Sequence, residues 1–280
     1  MERILRAFTA TEEQAVAQGL RTLARLLRLL GGNVEEVYWA NVYRRAKGLP
    51  TEALWSNLSL NDLIFDGTGV EVKLLKRPTP FADQGKTLMH PAGTRRVTFD
   101  DLQPAEECMV QVLSQWSADI AEFARRVALT SQVKAAEVRW GVLLWGADFT
   151  RFLYFEEEMR QPDPQDYRAE WGVGKARGKP TRNLYIYEKE SGKKRFSVTL
   201  PRNGAKLQPY FDIPTQEYGA HLFAVPLEDL VPIWVSRETY ERLAARGQDH
   251  DLILQALLGD LVGNLAPVGP GDNFEEGREA

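Results

Sequence analysis

Metal-ligating side chains are scarce in this chain of 280 residues, which holds one cysteine, Cys108, and three histidines, His90, His221 and His250. A single cysteine excludes an intramolecular disulfide and any cysteine-cluster zinc site. Three scattered histidines leave little from which to build a histidine metal centre. Also absent is any apolar run of about 18 residues, the length a membrane-spanning helix needs, so no membrane partner is expected. The N-terminus, MERILRAFTATEEQ, has no extended apolar stretch and soon turns acidic, unlike a secretory signal. A cytoplasmic location is therefore expected. Internal repeats and long low-complexity segments are missing too. What remains has an ordinary globular composition, 44% hydrophobic and 26% charged, with ample material for a core.

The net charge of −4 argues by itself against a nucleic-acid partner, but its distribution reverses that impression. Between Arg168 and Lys206 there are 11 Lys/Arg and 3 Glu, a local +8, so the other residues sum to −12. A second positive segment, Lys73 to Arg96, is locally +5. What a partner meets is the local field, not the total. The plain alternative is a solvated, charged hairpin.

Apolar periodicity predicts a helix over 11–30, with Thr11-x-x-Gln14 as a capping box. A second helix follows, capped by Asn33 and running to about Lys47. Strands are expected at 58–65, 70–76 and 94–99, then a long helix over 104–128 and a nearly all-apolar strand over 138–145. Further β-type runs cover 149–155, 183–188 and 195–200, with a hairpin tip at Ser191-Gly192. The glycine-rich GVGKARGKPTRN reads as a flexible basic loop. The segment 220–266 is expected to be helical, and 267–280 has a disordered composition. The whole reads as one α/β domain over 1–266: a mixed central sheet with helices on both faces, plus C-terminal hairpins and helices.

The stretch FDGTGVEVK, Phe65 to Lys73, places a carboxylate and an ammonium two residues apart in a strand. Charges in buried strands are costly unless they pair, bind a metal or do chemistry. A hairpin with an even-numbered loop would set residue 65 opposite 70, 64 opposite 71 and 62 opposite 73. Side chains alternate along a strand, so Asp62, Ile64, Glu71 and Lys73 share one face, and Val70, Val72 and Leu74 form an apolar one. Mg²⁺ takes oxygen ligands, typically one or two carboxylates plus water and phosphate. Asp62 and Glu71 would supply the carboxylates and Val72 its carbonyl. Lys73 would position or help deprotonate an attacking water and offset developing charge. Asp66 competes with Asp62, having the same parity but lying at the turn. The alternative for the whole hairpin is an exposed edge whose Glu71 and Lys73 make surface ion pairs of little energetic worth.

Asp62, eight intervening residues and Glu71-Val72-Lys73 resemble the PD-(D/E)XK nuclease signature, and helix–strand–strand–strand–helix–strand resembles that superfamily's core. The resemblance covers roughly 33–145 and is greatest to type II restriction endonucleases. It implies Asp62 and Glu71 as metal ligands, Lys73 as the catalytic lysine, and Glu35 or Glu36 as an accessory carboxylate on the preceding helix. Asn61 stands where many members carry proline. The implied activity is Mg²⁺-dependent cleavage of double-stranded DNA at a specific sequence. Cutting both strands of a symmetric site calls for a homodimer, with 1–32 and 220–266 as the segments available for dimerisation. The β-rich 146–215 would recognise DNA through Lys175, Arg177, Lys179, Arg182, Asn183, Lys193, Lys194 and Arg195. Arg95 and Arg96 would contact phosphates near the scissile bond. Tyr185 and Phe196 are expected in the core.

Overall fold

Thr9 sets the start of the first long helix. In the computed structural model, which describes residues 4–30, 32–49, 63–90, 95–176, 179–199 and 205–227, the Thr9 N–H donates to Glu12 Oε2 (2.7 Å) and Thr9 Oγ1 accepts from the Glu12 N–H (3.3 Å). The capping box thus lies two residues ahead of the expected Thr11-x-x-Gln14. Glu12 is held there by a second partner, Lys47 Nζ, at 3.1 Å. Strand β1 (Ile4–Leu5) precedes α1 (Ala10–Leu30), whose Val16, Leu20, Leu23 and Leu27 form one buried stripe. Helix α2 (Glu36–Ala46) begins after Glu35 instead of Asn33, because Asn33 Oδ1 accepts from Lys76 Nζ (3.0 Å).

The next elements are β2 (Leu63–Phe65), β3 (Thr68–Arg77), β4 (Thr87–Met89), β5 (Arg95–Val97) and α3 (Ala105–Ser131). Then come β6 (Glu137–Gly146), β7 (Arg151–Glu158), β8 (Tyr167–Ala176), β9 (Lys179–Glu188), β10 (Lys194–Thr199), β11 (Ala205–Asp212) and β12 (His221–Ala224). The central sheet runs β1-β7-β6-β3-β2, with β12 also on β7. Strands β3 and β6 are parallel along their whole lengths, with α3 in the crossover, and the other pairs are antiparallel. Helices α1 and α2 cover the face of Val70, Val72, Leu143 and Trp145. Helix α3 covers the opposite face, of Leu75, Trp140, Val142 and Leu144. A mixed sheet with helices on both faces is what forms.

A second, antiparallel sheet runs β4-β11-β10-β9-β8, with β5 also on β11. Its inner residues, among them Leu184, Ile186, Val198, Leu207 and Phe211, join the α3-side core. Strand 94–99 therefore exists as β5 but pairs with β11, outside the central sheet. Among the described residues only β2 and β3 enter that sheet between α2 and α3. The segment expected to be helical from residue 220 opens with β12, because Leu222 and Phe223 extend the edge of β7. The chain divides after Ile233 into two units, and every described residue belongs to the first. The rest of that segment, 228–266, and the tail 267–280 lie outside the described residues. Among those described, no helix is long and apolar enough to cross a membrane.

One buried carboxylate ties α2 to the sheet. Glu156 on β7 accepts from Tyr43 OH (2.8 Å), Tyr154 OH (3.0 Å) and Arg139 Nη1 (2.8 Å). Burial, with the Glu156 charge adding to it, pushes both tyrosine hydroxyls well above their ordinary pKa.

Candidate active site

The hairpin that carries the candidate site turns on Asp66-Gly67, both with positive φ (43° and 76°), the geometry a two-residue type I′ turn requires. The register is Leu63 opposite Val70, Ile64 opposite Gly69 and Phe65 opposite Thr68. The expected four-residue turn is thus two residues too long, but the loop is even and the parity stands. Gly69 belongs to the strand because α3 presses on it: a Cβ there would lie 2.5 Å from Val127 Cγ2. Glu71 and Lys73 face the α3 side opposite Trp140 and Val142, while Val70 and Val72 face α1 and α2. Asp66 is exposed at the turn. Asp62 lies outside the described residues.

The pair is not a surface ion bridge. Glu71 is 5% exposed and Lys73 7%. Strand β3 is flanked by β6 along its whole length and by β2 over Thr68–Val70, and the burial of Glu71 and Lys73 removes the exposed-edge alternative. Lys73 Nζ contacts Glu71 Oε1 and lies 5.7 Å from the centre of the Trp140 ring. Among the described residues Glu71 Oε2 is buried with no hydrogen-bond partner. A buried carboxylate oxygen without a donor is costly, and a cation satisfies it. Glu36, the first residue of α2, lies within the field of both charges. Desolvation raises its pKa from the ordinary glutamate value; Lys73 opposes this, and Glu71 and Glu35 add to it. Glu35 is exposed at the helix start. Glu36, solvent-exposed on α2, is thus within electrostatic range of Glu71 and Lys73, which are buried together on the α3 side of the sheet. Among the described residues no three of His, Cys, Asp and Glu converge as a metal cage.

The basic residues of the second sheet sort into two ends. At the β9–β10 turn the charges are internally neutralised: Arg195 Nη1 lies 2.8 Å from Asp212 Oδ2 and Arg195 Nη2 2.9 Å from Glu188 Oε2, with Lys193 Nζ 2.9 Å from Asp212 Oδ2. Asn183 is buried, bound to Thr181 Oγ1 (3.1 Å) and close to Tyr185 OH (3.4 Å). Lys194 Nζ sits 3.7 Å over the Tyr185 ring, with the Tyr187 and Tyr210 rings also near, and desolvation lowers its pKa. At the other end, GVGKARGKPTRN is not a loop: β8 and β9 stay paired out to Ala176 opposite Lys179. Arg182 there donates to the Asp101 carbonyl (2.9 Å) and stacks 3.8 Å from the Trp171 ring centre. Lys175 and Lys179 occupy positions in these strands, and Arg177 lies outside the described residues. Arg95 pairs through its backbone with Leu207, and exposed Arg96 lies opposite exposed Lys206.

One residue of this sheet departs from the sequence expectation. Phe196 packs against the core, but Tyr185 lies on the outer face, over Gly172 and Gly174, where any Cβ would collide with its ring or with Asn183. The alternation Leu184-Tyr185-Ile186 carried that signal, since two aliphatics claim the inner face. Trp140 under Lys73 had no such signal, because its proximity comes from parallel pairing across α3. No protein-family model, no curated protein and no solved structure matches the chain.

Proposed function

We propose that the chain is a Mg²⁺-dependent endonuclease of double-stranded DNA, acting in the manner of a type II restriction enzyme. The observation that carries this reading is the buried Glu71–Lys73 pair, with Glu71 Oε2 left without a donor and Glu36 in its field. A buried ion pair with an unsatisfied oxygen is a poor way to stabilise a sheet, and apolar residues would serve the fold as well or better. Glu71, with Asp62 and the Val72 carbonyl, would hold the cation. Bound there, Mg²⁺ supplies acidification of a water and screening of phosphate charge. Lys73 Nζ, turned from Glu71 Oε1 toward the scissile phosphate, positions the attacking water and offsets the negative charge that builds there. Glu36 is suited by its raised pKa to take up a proton at its carboxylate. Strand cleavage at a symmetric site is the work of two copies of the chain.

The test is incubation of plasmid DNA with the protein in Mg²⁺, with an EDTA control. Discrete fragments are expected in Mg²⁺ alone, and Lys73→Ala is expected to abolish them while still retarding duplex. Cleavage by that variant at the wild-type rate would refute the assignment. Retarded but intact DNA in both tubes would identify a noncatalytic DNA-binding protein instead.

A further inference from the structure

We infer that the outer part of the β8–β9 hairpin is a ribbon that lies in the major groove of duplex DNA. This deepens the proposed function and rests on DNA being the substrate. The described part of the third strand, β10, ends at Thr199 opposite Asn183. Strands β8 and β9 continue through four more pairs: Val173–Arg182, Gly174–Thr181, Lys175–Pro180 and Ala176–Lys179. Among the described residues no further strand flanks that extension, and β8 is the edge of the sheet. At about 3.4 Å per residue the four pairs project about 13 Å. That exceeds the major groove's depth of about 8.5 Å, and the groove, about 12 Å wide, admits a two-stranded ribbon. The minor groove, about 6 Å wide, does not.

Charge points the same way. From Gly172 to Asn183 the chain carries Lys175, Arg177, Lys179 and Arg182 and no acid. The opposite end of the same sheet holds Lys193 and Arg195 in ion pairs with Glu188 and Asp212. Edge lysines also discourage sheet-to-sheet aggregation, but that role does not explain Val173, an aliphatic 78% exposed on the ribbon. An apolar contact of that kind suits the thymine methyl group in the major groove. The root of the ribbon is held before any ligand arrives. Arg182 is fixed on Trp171 and the Asp101 carbonyl, and Trp171 Nε1 donates to the Gln103 carbonyl (3.3 Å). A preorganised element loses less entropy on binding.

The experiment is fluorescence anisotropy on a labelled, mixed-sequence duplex several turns long, in EDTA so that no cleavage intervenes, across a salt series. Each phosphate contact contributes about 0.9 to the slope of log affinity against log salt. Lys175→Gln/Lys179→Gln is expected to lower the slope magnitude by up to about 2, and Lys175→Arg/Lys179→Arg to keep it. Lys189→Gln, at the opposite end of the sheet, where Lys189 Nζ donates to the Gln165 carbonyl, is expected to leave it unchanged. Methyl green, a major-groove ligand, should compete with the protein, and the minor-groove ligand netropsin should not. An unchanged slope in the ribbon variant, an equal loss at both ends, or displacement by netropsin alone would overturn the ribbon's placement and leave the Glu71–Lys73 chemistry standing. Failure to bind duplex at any salt would overturn both readings. Normal ribbon behaviour with no cleavage in Mg²⁺ would support the ribbon and sink the nuclease.

Discussion

Removing one member of the buried charge pair is the most discriminating perturbation of the fold. The Lys73 and Glu71 side chains are 9% and 7% exposed. Lys73→Met keeps the length of the side chain and its packing on Trp140 but leaves Glu71 with neither oxygen satisfied. Breaking a buried pair in this way costs about 3–5 kcal/mol. For a cooperative unit of this size each kcal/mol lowers the melting temperature by about 2–4 °C, so a fall of about 10 °C is expected. Glu71→Leu/Lys73→Met removes both charges, and the melting temperature should return to the wild-type value or rise above it, by the equivalent of about 1–4 kcal/mol. Thermal unfolding followed by circular dichroism, without divalent metal, measures both. Should Lys73→Met melt within about 1 kcal/mol of wild type, the pair behaves as a surface bridge and the reasoning from burial fails. Should the double variant be as unstable as the single, the two charges are structural, and the case for keeping them for chemistry fails with them.

Two further outcomes are expected. Gly69→Ala places a methyl 2.5 Å from Val127 Cγ2 and 2.8 Å from Phe123 Cζ and should cost about 1–3 kcal/mol in a urea melt, recovered by adding Val127→Ala; no loss would mean that α3 does not press on β3 there. Asp83, held by Arg77 Nε (2.5 Å) and Lys86 Nζ (3.1 Å), has its carboxyl kept below the ordinary range, chiefly by the Arg77 hydrogen bond. Its contribution is therefore complete above the unfolded carboxylate pKa of about 3.9 and is lost as pH falls through the lower folded value. Asp83→Asn should be less stable than wild type near neutrality, and the difference should close in acid; a constant gap would refute the ion-pair account.

Helices, buried strands and the β9–β10 turn were legible in the sequence because each rests on local signals. The leucine stripe of α1, the apolar run of β6 and the glycine of the 191–192 turn all act within a few residues. Sheet membership was not legible. The 94–99 strand looks the same whether it pairs with β3 or with β11, since pairing partners are set by tertiary packing. The Glu71–Lys73 face followed from alternation and an even loop, and it survives a two-residue error in turn length because parity is all it needs. Burial of that face was not readable, because it depends on β6 arriving across α3. Tyr185 lies outside the core because its aliphatic neighbours Leu184 and Ile186 claim the inner face. The ribbon was hidden by its glycines, which signal a loop when counted alone but make room for Tyr185 and Asn183 across the strands.

Parallel pairing of β3 with β6 has a consequence for how the protein is made. Thr68 meets Glu137 and Arg77 meets Gly146, so every contact in that ladder spans the whole of α3. Such distant pairings form slowly, after the cost of closing a long loop has been met. Glu71 and Lys73 therefore stay in water on a nascent chain and are enclosed only when the crossover is complete. The acid and base thus meet in a shared dry niche only after α3 has laid β6 beside β3.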